Sequence, residues 1–130
     1  MLMKMMKTHP DAVMPRFMTA GALGLDLTAV SMRYGTDGYI EYDTGIAIEF
    51  HREFAVMVLP RSSVSKRGMW LCNGPGLIDA DYRNSIKLRF YYEKGESRFN
   101  PYLPGERIGQ LLCVPVIHPS IMEVDGLSET

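Results

Sequence analysis

Asn73-Gly74-Pro75-Gly76-Leu77-Ile78-Asp79-Ala80-Asp81-Tyr82-Arg83 joins a turn-rich start to two carboxylates and a tyrosine. An apolar run would bury such residues in a core. A turn followed by Asp-x-Asp-Tyr puts them at the rim of a β structure, where a ligand can reach them. In a fully extended chain, residues two apart share a face, so Asp79 and Asp81 would lie together with Tyr82 opposite. Two neighbouring carboxylates repel and call for a cation, a proton or an arginine between them. Taken alone, Asp-x-Asp reads as a polar hairpin end, so the surrounding sequence has to decide.

Outward from this stretch the chain is built of short β-rich runs. They cover roughly Met3–Lys7, Leu25–Val30, Tyr39–Tyr42, Gly45–Phe50, Phe54–Leu59, Ile86–Tyr92, Ile108–Val116 and Ile121–Val124, each bounded by Gly, Pro, Asp or Asn. Gly45–Phe50 and Ser85–Phe90 alternate in part, which predicts one packed face and one wet face. The exception is Ser62-Ser63-Val64-Ser65-Lys66-Arg67, which follows Pro60-Arg61 and stops at Gly68, the pattern of one short helix. Its first turn offers backbone N–H groups to an anion, with Arg61 beside it to grip phosphate oxygens; simple capping by Ser62 or Ser63 is equally common. Many strands and one short helix predict an all-β fold, an antiparallel sandwich or jelly roll.

With 130 residues the chain forms a single domain, residues 1–130, without repeats or linkers. Its net charge of −1 argues against a general nucleic-acid or anionic-membrane binder. Local arginines can still hold a small anion. Cys72 and Cys113 lack CxxC spacing and read as buried free thiols of a reducing compartment. His9, His51 and His118 show no zinc-ligand spacing. No apolar run approaches the ~20 residues that span a bilayer, and the lysine-interrupted start carries no signal-peptide pattern. A cytoplasmic location, or another nucleotide-pool compartment, is the expectation.

Four blocks then stand in order: Ala20-Gly21-Ala22-Leu23-Gly24-Leu25-Asp26-Leu27, Pro60-Arg61-Ser62-Ser63-Val64, Asn73–Arg83 and Gly105-Glu106-Arg107-Ile108-Gly109-Gln110-Leu111. Together they resemble the first four of five motifs of the trimeric dUTPase family, over about residues 20–116. The resemblance implies a distorted jelly roll (a β-clip) that forms a homotrimer with active sites at subunit interfaces. It implies hydrolysis of dUTP to dUMP and pyrophosphate with Mg²⁺ on the triphosphate, and no nucleic-acid or membrane partner. By that resemblance Asp79 is the catalytic carboxylate that orients the attacking water and meets the sugar 3′-hydroxyl. Tyr82 packs under the deoxyribose. Asn73, Gly76, Leu77 and Ile78 form the hairpin that reads uracil, with Lys87 on its return strand. Arg61, Ser62 and Ser63 form the phosphate-gripping turn, Gln110 reaches phosphate from another subunit, and Asp26 approaches the metal through water.

This chemistry is coherent in itself. Attack on phosphorus needs a positioned water, a base, and positive charge on the leaving oxygens. Mg²⁺ takes carboxylate, water and phosphate oxygens, so no His/Cys cluster is required. For Asp79 and Tyr82 both to face a nucleotide, the chain must leave strand geometry near Ala80–Asp81. Structural readings stand beside the functional ones. Asp26 fixes its turn, Arg107 braces the fold or the trimer against a carboxylate, Arg83 and Asp81 pair with each other or across an interface, Gln110 is an ordinary strand-end residue, and Trp70 and Cys72 pack.

The chain departs from the family pattern in places. Its fifth, glycine-rich motif is missing from these 130 residues. Asn84 and Ser85 replace Gly and a polar or acidic residue, Gly109 stands where Ala is usual, and Leu25 where an aromatic is common. Two alternatives remain: a dCTP deaminase-like enzyme on the same fold, and a non-catalytic nucleotide-gated binding or signalling module. The first lacks its glutamate, since Arg83-Asn84-Ser85 follows the hairpin here. The second turns on the glycine-rich motif.

Overall fold

The computed structural model describes every residue from Met1 to Thr130. Ten strands run in the order β1 (Lys4–Lys7), β2 (Leu25–Thr28), β3 (Ser31–Tyr34), β4 (Tyr39–Asp43), β5 (Ile46–Glu49), β6 (Phe54–Leu59), β7 (Met69–Leu71), β8 (Gly76–Ile78), β9 (Lys87–Tyr92) and β10 (Arg107–Pro115). Between β6 and β7 a single 3₁₀ turn spans Ser62–Lys66. All strand pairs are antiparallel. They form two four-stranded sheets, β2-β10-β6-β8 and β3-β4-β9-β7, with β1-β5 as a separate ribbon. This is the expected all-β jelly roll.

The core lies between the two large sheets because each strand turns alternate side chains inward. Leu27, Val56, Val58, Ile108 and Leu111 come from one sheet, and Ile40, Tyr42, Leu88 and Phe90 from the other, all nearly or fully buried. Tyr42, Phe90 and Tyr102 meet edge to face, with ring centroids 5.6–6.2 Å apart. Tyr42 also donates its hydroxyl to the Tyr102 carbonyl at 2.8 Å, so burying its polar end leaves nothing unsatisfied. β9 alternates cleanly as expected. β5 does not: Ile46, Ala47 and Ile48 are all buried.

Three strands escape the sequence reading and one is removed. Ser31–Tyr34 is a mostly exposed edge strand without an apolar face. Met69–Leu71 and Gly76–Ile78 are only three residues long. Ile121–Val124 is not a strand; its side chains are exposed and the segment finds no sheet edge in this chain to pair with. The serine caps are also absent. Arg61 is the residue that opens the 3₁₀ turn, and no side chain caps it.

Gly109 owes its identity to packing. A Cβ there would meet Leu88 Cδ2 at 2.5 Å and the Leu59 carbonyl at 3.0 Å, so Leu88 fills the space an alanine would need.

Two acidic side chains tie acid stability to named ion pairs. Burial pushes the Glu41 carboxyl up, but hydrogen bonds from Arg89 and Arg33 outweigh it and hold the group below its usual range. Arg67, at 2.9 Å, together with the Leu103 N–H, lowers the Glu106 carboxyl in the same direction. Depressed folded-state values mean the unfolded chain takes up these protons first. Their stabilisation is therefore complete above the ordinary glutamate value of about 4.3 and drains away as pH falls through the lower folded values. Urea midpoints followed from pH 7 to pH 3 are expected to fall below about pH 4.3. A midpoint still level at pH 3 contradicts both pairings.

Candidate active site

The hairpin begins where β7 ends. Asn73 and Gly74 lead into a cis Gly74–Pro75 bond. Gly76 must then be glycine, because a Cβ there would stand 2.4 Å from the Asn73 carbonyl oxygen. β8 pairs with β6, Gly76 opposite Val58 and Ile78 opposite Val56. The chain leaves strand geometry immediately afterwards: the Tyr82 N–H donates to the Asp79 carbonyl at 3.0 Å, closing a tight turn. That turn brings Tyr82 round to the side of Asp79. Asp79 and Tyr82 line one cavity of about 450 Å³, and Asp79 also borders an adjoining recess with Asp81, Phe50, His51 and Arg52.

This cavity also collects Asn73, Gly76, Leu77, Ile78 and Lys87. Val58 and Ile86 give it an apolar floor. The Tyr82 hydroxyl donates to the Ser85 carbonyl at 3.1 Å, which holds the ring against the turn. Asn73 clamps the return strand: its Oδ1 accepts from the Arg89 N–H at 3.0 Å and its Nδ2 donates to the Lys87 carbonyl at 3.1 Å. The amide of Asn73 is thus occupied in building the hairpin. Arg83 donates to the Ala80 and Tyr82 carbonyls at 2.8 and 3.2 Å rather than pairing with Asp81.

The remaining candidate residues gather elsewhere, around β2, β10 and the far end of β6 in the sheet that also carries β8. Gln110 stands opposite Asp26 on one side and Leu59 on the other. Its Nε2 donates to the Pro60 carbonyl at 3.0 Å. Gly24 makes room for it, since a Cβ there would lie 2.2 Å from Gln110 Oε1. Asp26 is paired with Arg107 at 2.9 Å, the brace expected for that arginine. Arg61 reaches the Arg107 carbonyl at 3.1 Å. Ser63 Oγ is buried without a hydrogen-bond partner.

The two groups do not meet within one chain. Asp79 follows Ile78, so it lies near the Ala55 end of β6, while Arg61 follows the opposite end. Six residue steps along β6 and the extended chain after it separate Ala55 from Arg61, roughly 20 Å. None of Asp26, Arg61, Ser62, Ser63 or Gln110 lines the hairpin cavity.

Sequence reasoning missed the apolar floor, Val58 and Ile86, and three charged residues of the cavity wall: Arg33, Glu41 and Arg89. Strand register alone brings the three charged residues together, and nothing in their local sequence marks them. Cys72 and Cys113 are free and half-buried rather than fully enclosed, with burial raising both thiols. Trp70 packs on Tyr91 at 6.0 Å but remains 53% exposed, so it belongs to the outer face and not to the core. No helix is long and apolar enough to cross a membrane.

An antiparallel jelly roll carrying a polar pocket on one hairpin, with its candidate anion-gripping groups at the far end of the strand that hairpin pairs with, fits the dUTPase-like class of β folds. A family model described as dUTPase matches residues 11–130, and the chain belongs to the dUTPase family. The deoxyuridine 5′-triphosphate nucleotidohydrolase of Wolinella succinogenes is 33% identical, with 100% of this chain and 87% of that protein covered. The one from Escherichia phage T5 is 34% identical over 99% of this chain and 91% of its own length. Among solved structures, a mutant dUTPase of Staphylococcus bacteriophage 80alpha with dUpNHpp superposes with a TM-score of 0.84 at 18% identity. It covers 99% of this chain and 91% of its own, a likeness of fold.

Proposed function

We propose that this protein hydrolyses dUTP to dUMP and pyrophosphate, with Asp79 as its catalytic carboxylate. Membership of the dUTPase family supports the reaction. The observation that carries the residue assignment is the turn that brings Asp79 and Tyr82 into one cavity with the hairpin backbone. The base lies against Gly76, Leu77 and Ile78, where backbone groups recognise its edge, and Lys87 closes the return strand. A hydrogen-bonding site of this kind rejects a mismatched base because its own polar groups would be left unpaired. Tyr82 packs under the sugar. Asp79 holds a water in line with the α-phosphorus and takes its proton. The new phosphorus–oxygen bond forms as the bond to the bridging oxygen breaks, and pyrophosphate leaves with that oxygen.

Arg61, Ser62, Ser63 and Gln110 hold the phosphates. The chain has no cluster of three or more His, Cys, Asp or Glu side chains fit to cage a metal. Asp26 offers one carboxylate, already paired with Arg107, which suits contact with Mg²⁺ through water rather than direct ligation. When bound on the triphosphate, Mg²⁺ supplies positive charge to the leaving oxygens.

The active unit is a homotrimer in which one subunit's hairpin faces another's phosphate turn. The wide separation of Asp79 from Arg61 within a chain supports this. Two inactive variants, Asp79→Asn and Arg61→Ala, test it when unfolded together and refolded as a mixture. Random assembly restores about a quarter of the sites if the two residues come from different subunits. No recovery counts against sharing. The reaction itself is tested by pyrophosphate release from dUTP, dTTP, dCTP and UTP, with and without Mg²⁺. Release from dUTP alone, stopped by chelation, is the expected result. Ammonia from dCTP, or tight dUTP binding without pyrophosphate, overturns it.

A further inference from the structure

Arg33, Glu41 and Arg89 form one row across β3, β4 and β9, each opposite the next in register. The row lies on the side of this sheet turned away from the core, where Glu41 is nevertheless only 7% exposed. Its Oε1 accepts from Arg33 Nε at 2.9 Å and its Oε2 from Arg89 Nε at 2.6 Å. A buried ion pair is weak evidence for stability, because desolvation offsets much of the attraction and apolar replacements often match it. The reason for a carboxylate here lies in what it holds in place.

It holds Arg89. The guanidinium is fixed on Glu41 and lies 5.2 Å over the Tyr39 ring. The Arg89 N–H donates to Asn73 Oδ1, and its carbonyl accepts from the Cys72 N–H and Sγ, both at 2.9 Å. Asn73 completes the clasp on the Lys87 carbonyl. The hairpin's opening turn is therefore fastened to β9 through Arg89, and Arg89 is fastened to the neighbouring strand through Glu41.

We infer that Glu41 is a positioning residue for the base-reading hairpin, acting through the Arg89 clasp on Asn73. The inference rests on the reading of this cavity as the base site. A Glu41→Gln variant keeps the shape and removes the charge. Its KM for dUTP is expected to rise about 10-fold, with kcat held within about twofold and preference for dUTP over dCTP narrowed, the scale of one charged hydrogen bond. Arg89→Met is expected to give the same shift and to add little on top of Glu41→Gln. A purely structural role lowers Tm while leaving KM and base preference unchanged well below the melting range; that result, or additive effects of the two substitutions, overturns the inference.

A readout without ligand separates this inference from the reading of the substrate. Hydrogen exchange at the Arg89 amide, held by Asn73, is expected to quicken about 10-fold in Glu41→Gln. Unchanged exchange overturns the inference even if dUTP proves to be the substrate. Faster exchange sustains the clasp even if it does not. Should Glu41→Gln fail to fold, Arg89→Met, at a half-exposed side chain, must still raise KM.

Discussion

Asp79→Asn is expected to bind dUTP about as well as the parent protein and to split it at least about 100-fold more slowly, the scale on which a positioned base contributes. Asparagine reproduces the size of the carboxylate and can still meet a sugar hydroxyl, so the pocket keeps its shape. It cannot accept the water's proton as the new bond to phosphorus forms. The turn that sets this side chain depends on the backbone, on the Tyr82 N–H meeting the Asp79 carbonyl, and survives the substitution. Removing a negative charge near a triphosphate also eases repulsion, so affinity has no electrostatic reason to fall. Titration calorimetry with a non-hydrolysable dUTP analogue, beside single-turnover rates, separates the two effects. A rate within a few-fold of the parent removes Asp79 from the base's role. A matching loss of affinity shows a collapsed pocket instead.

The sequence disclosed the fold wherever a strand is long enough to show its own face. Phe54–Leu59 matches its observed limits because an apolar run sits between turn residues and enters the core. Ser31–Tyr34 has no such face, since only Met32 of this edge strand packs against the core and its other side chains are exposed. Ile121–Val124 shows the opposite error: apolar residues with β propensity that pair with no strand of this chain.

The site divides in the same way. The departure from strand geometry after Ile78 followed from asking Asp79 and Tyr82 to face one ligand, and the chain does turn there. The Arg107 brace was legible from chemistry, since a strand arginine near an acid seeks it. Arg33, Glu41 and Arg89 were not legible, because their contact depends on the register of three strands. Residues that act through pairing across a sheet leave no local pattern to find.

Tyr82→Ala is expected to narrow discrimination between dUTP and UTP by about 10- to 100-fold, the range a lost steric exclusion of 1–3 kcal/mol provides. The ring is 37% exposed, so its removal opens the cavity to solvent and leaves the core untouched. Its position is fixed at both ends, by the backbone bond to Asp79 and by the hydroxyl bond to the Ser85 carbonyl. The backbone turn sets where the ring stands, and its bulk at that place is what would leave no room for an extra hydroxyl. Tyr82→Phe distinguishes the ring from its hydroxyl. It gives up only an exposed hydrogen bond and should keep discrimination within about threefold, because such bonds contribute little net energy. If alanine leaves the kcat/KM ratio for the two nucleotides unchanged, selection of the sugar belongs to another group. If phenylalanine relaxes it as much as alanine does, the Ser85 contact and not the ring sets the gate.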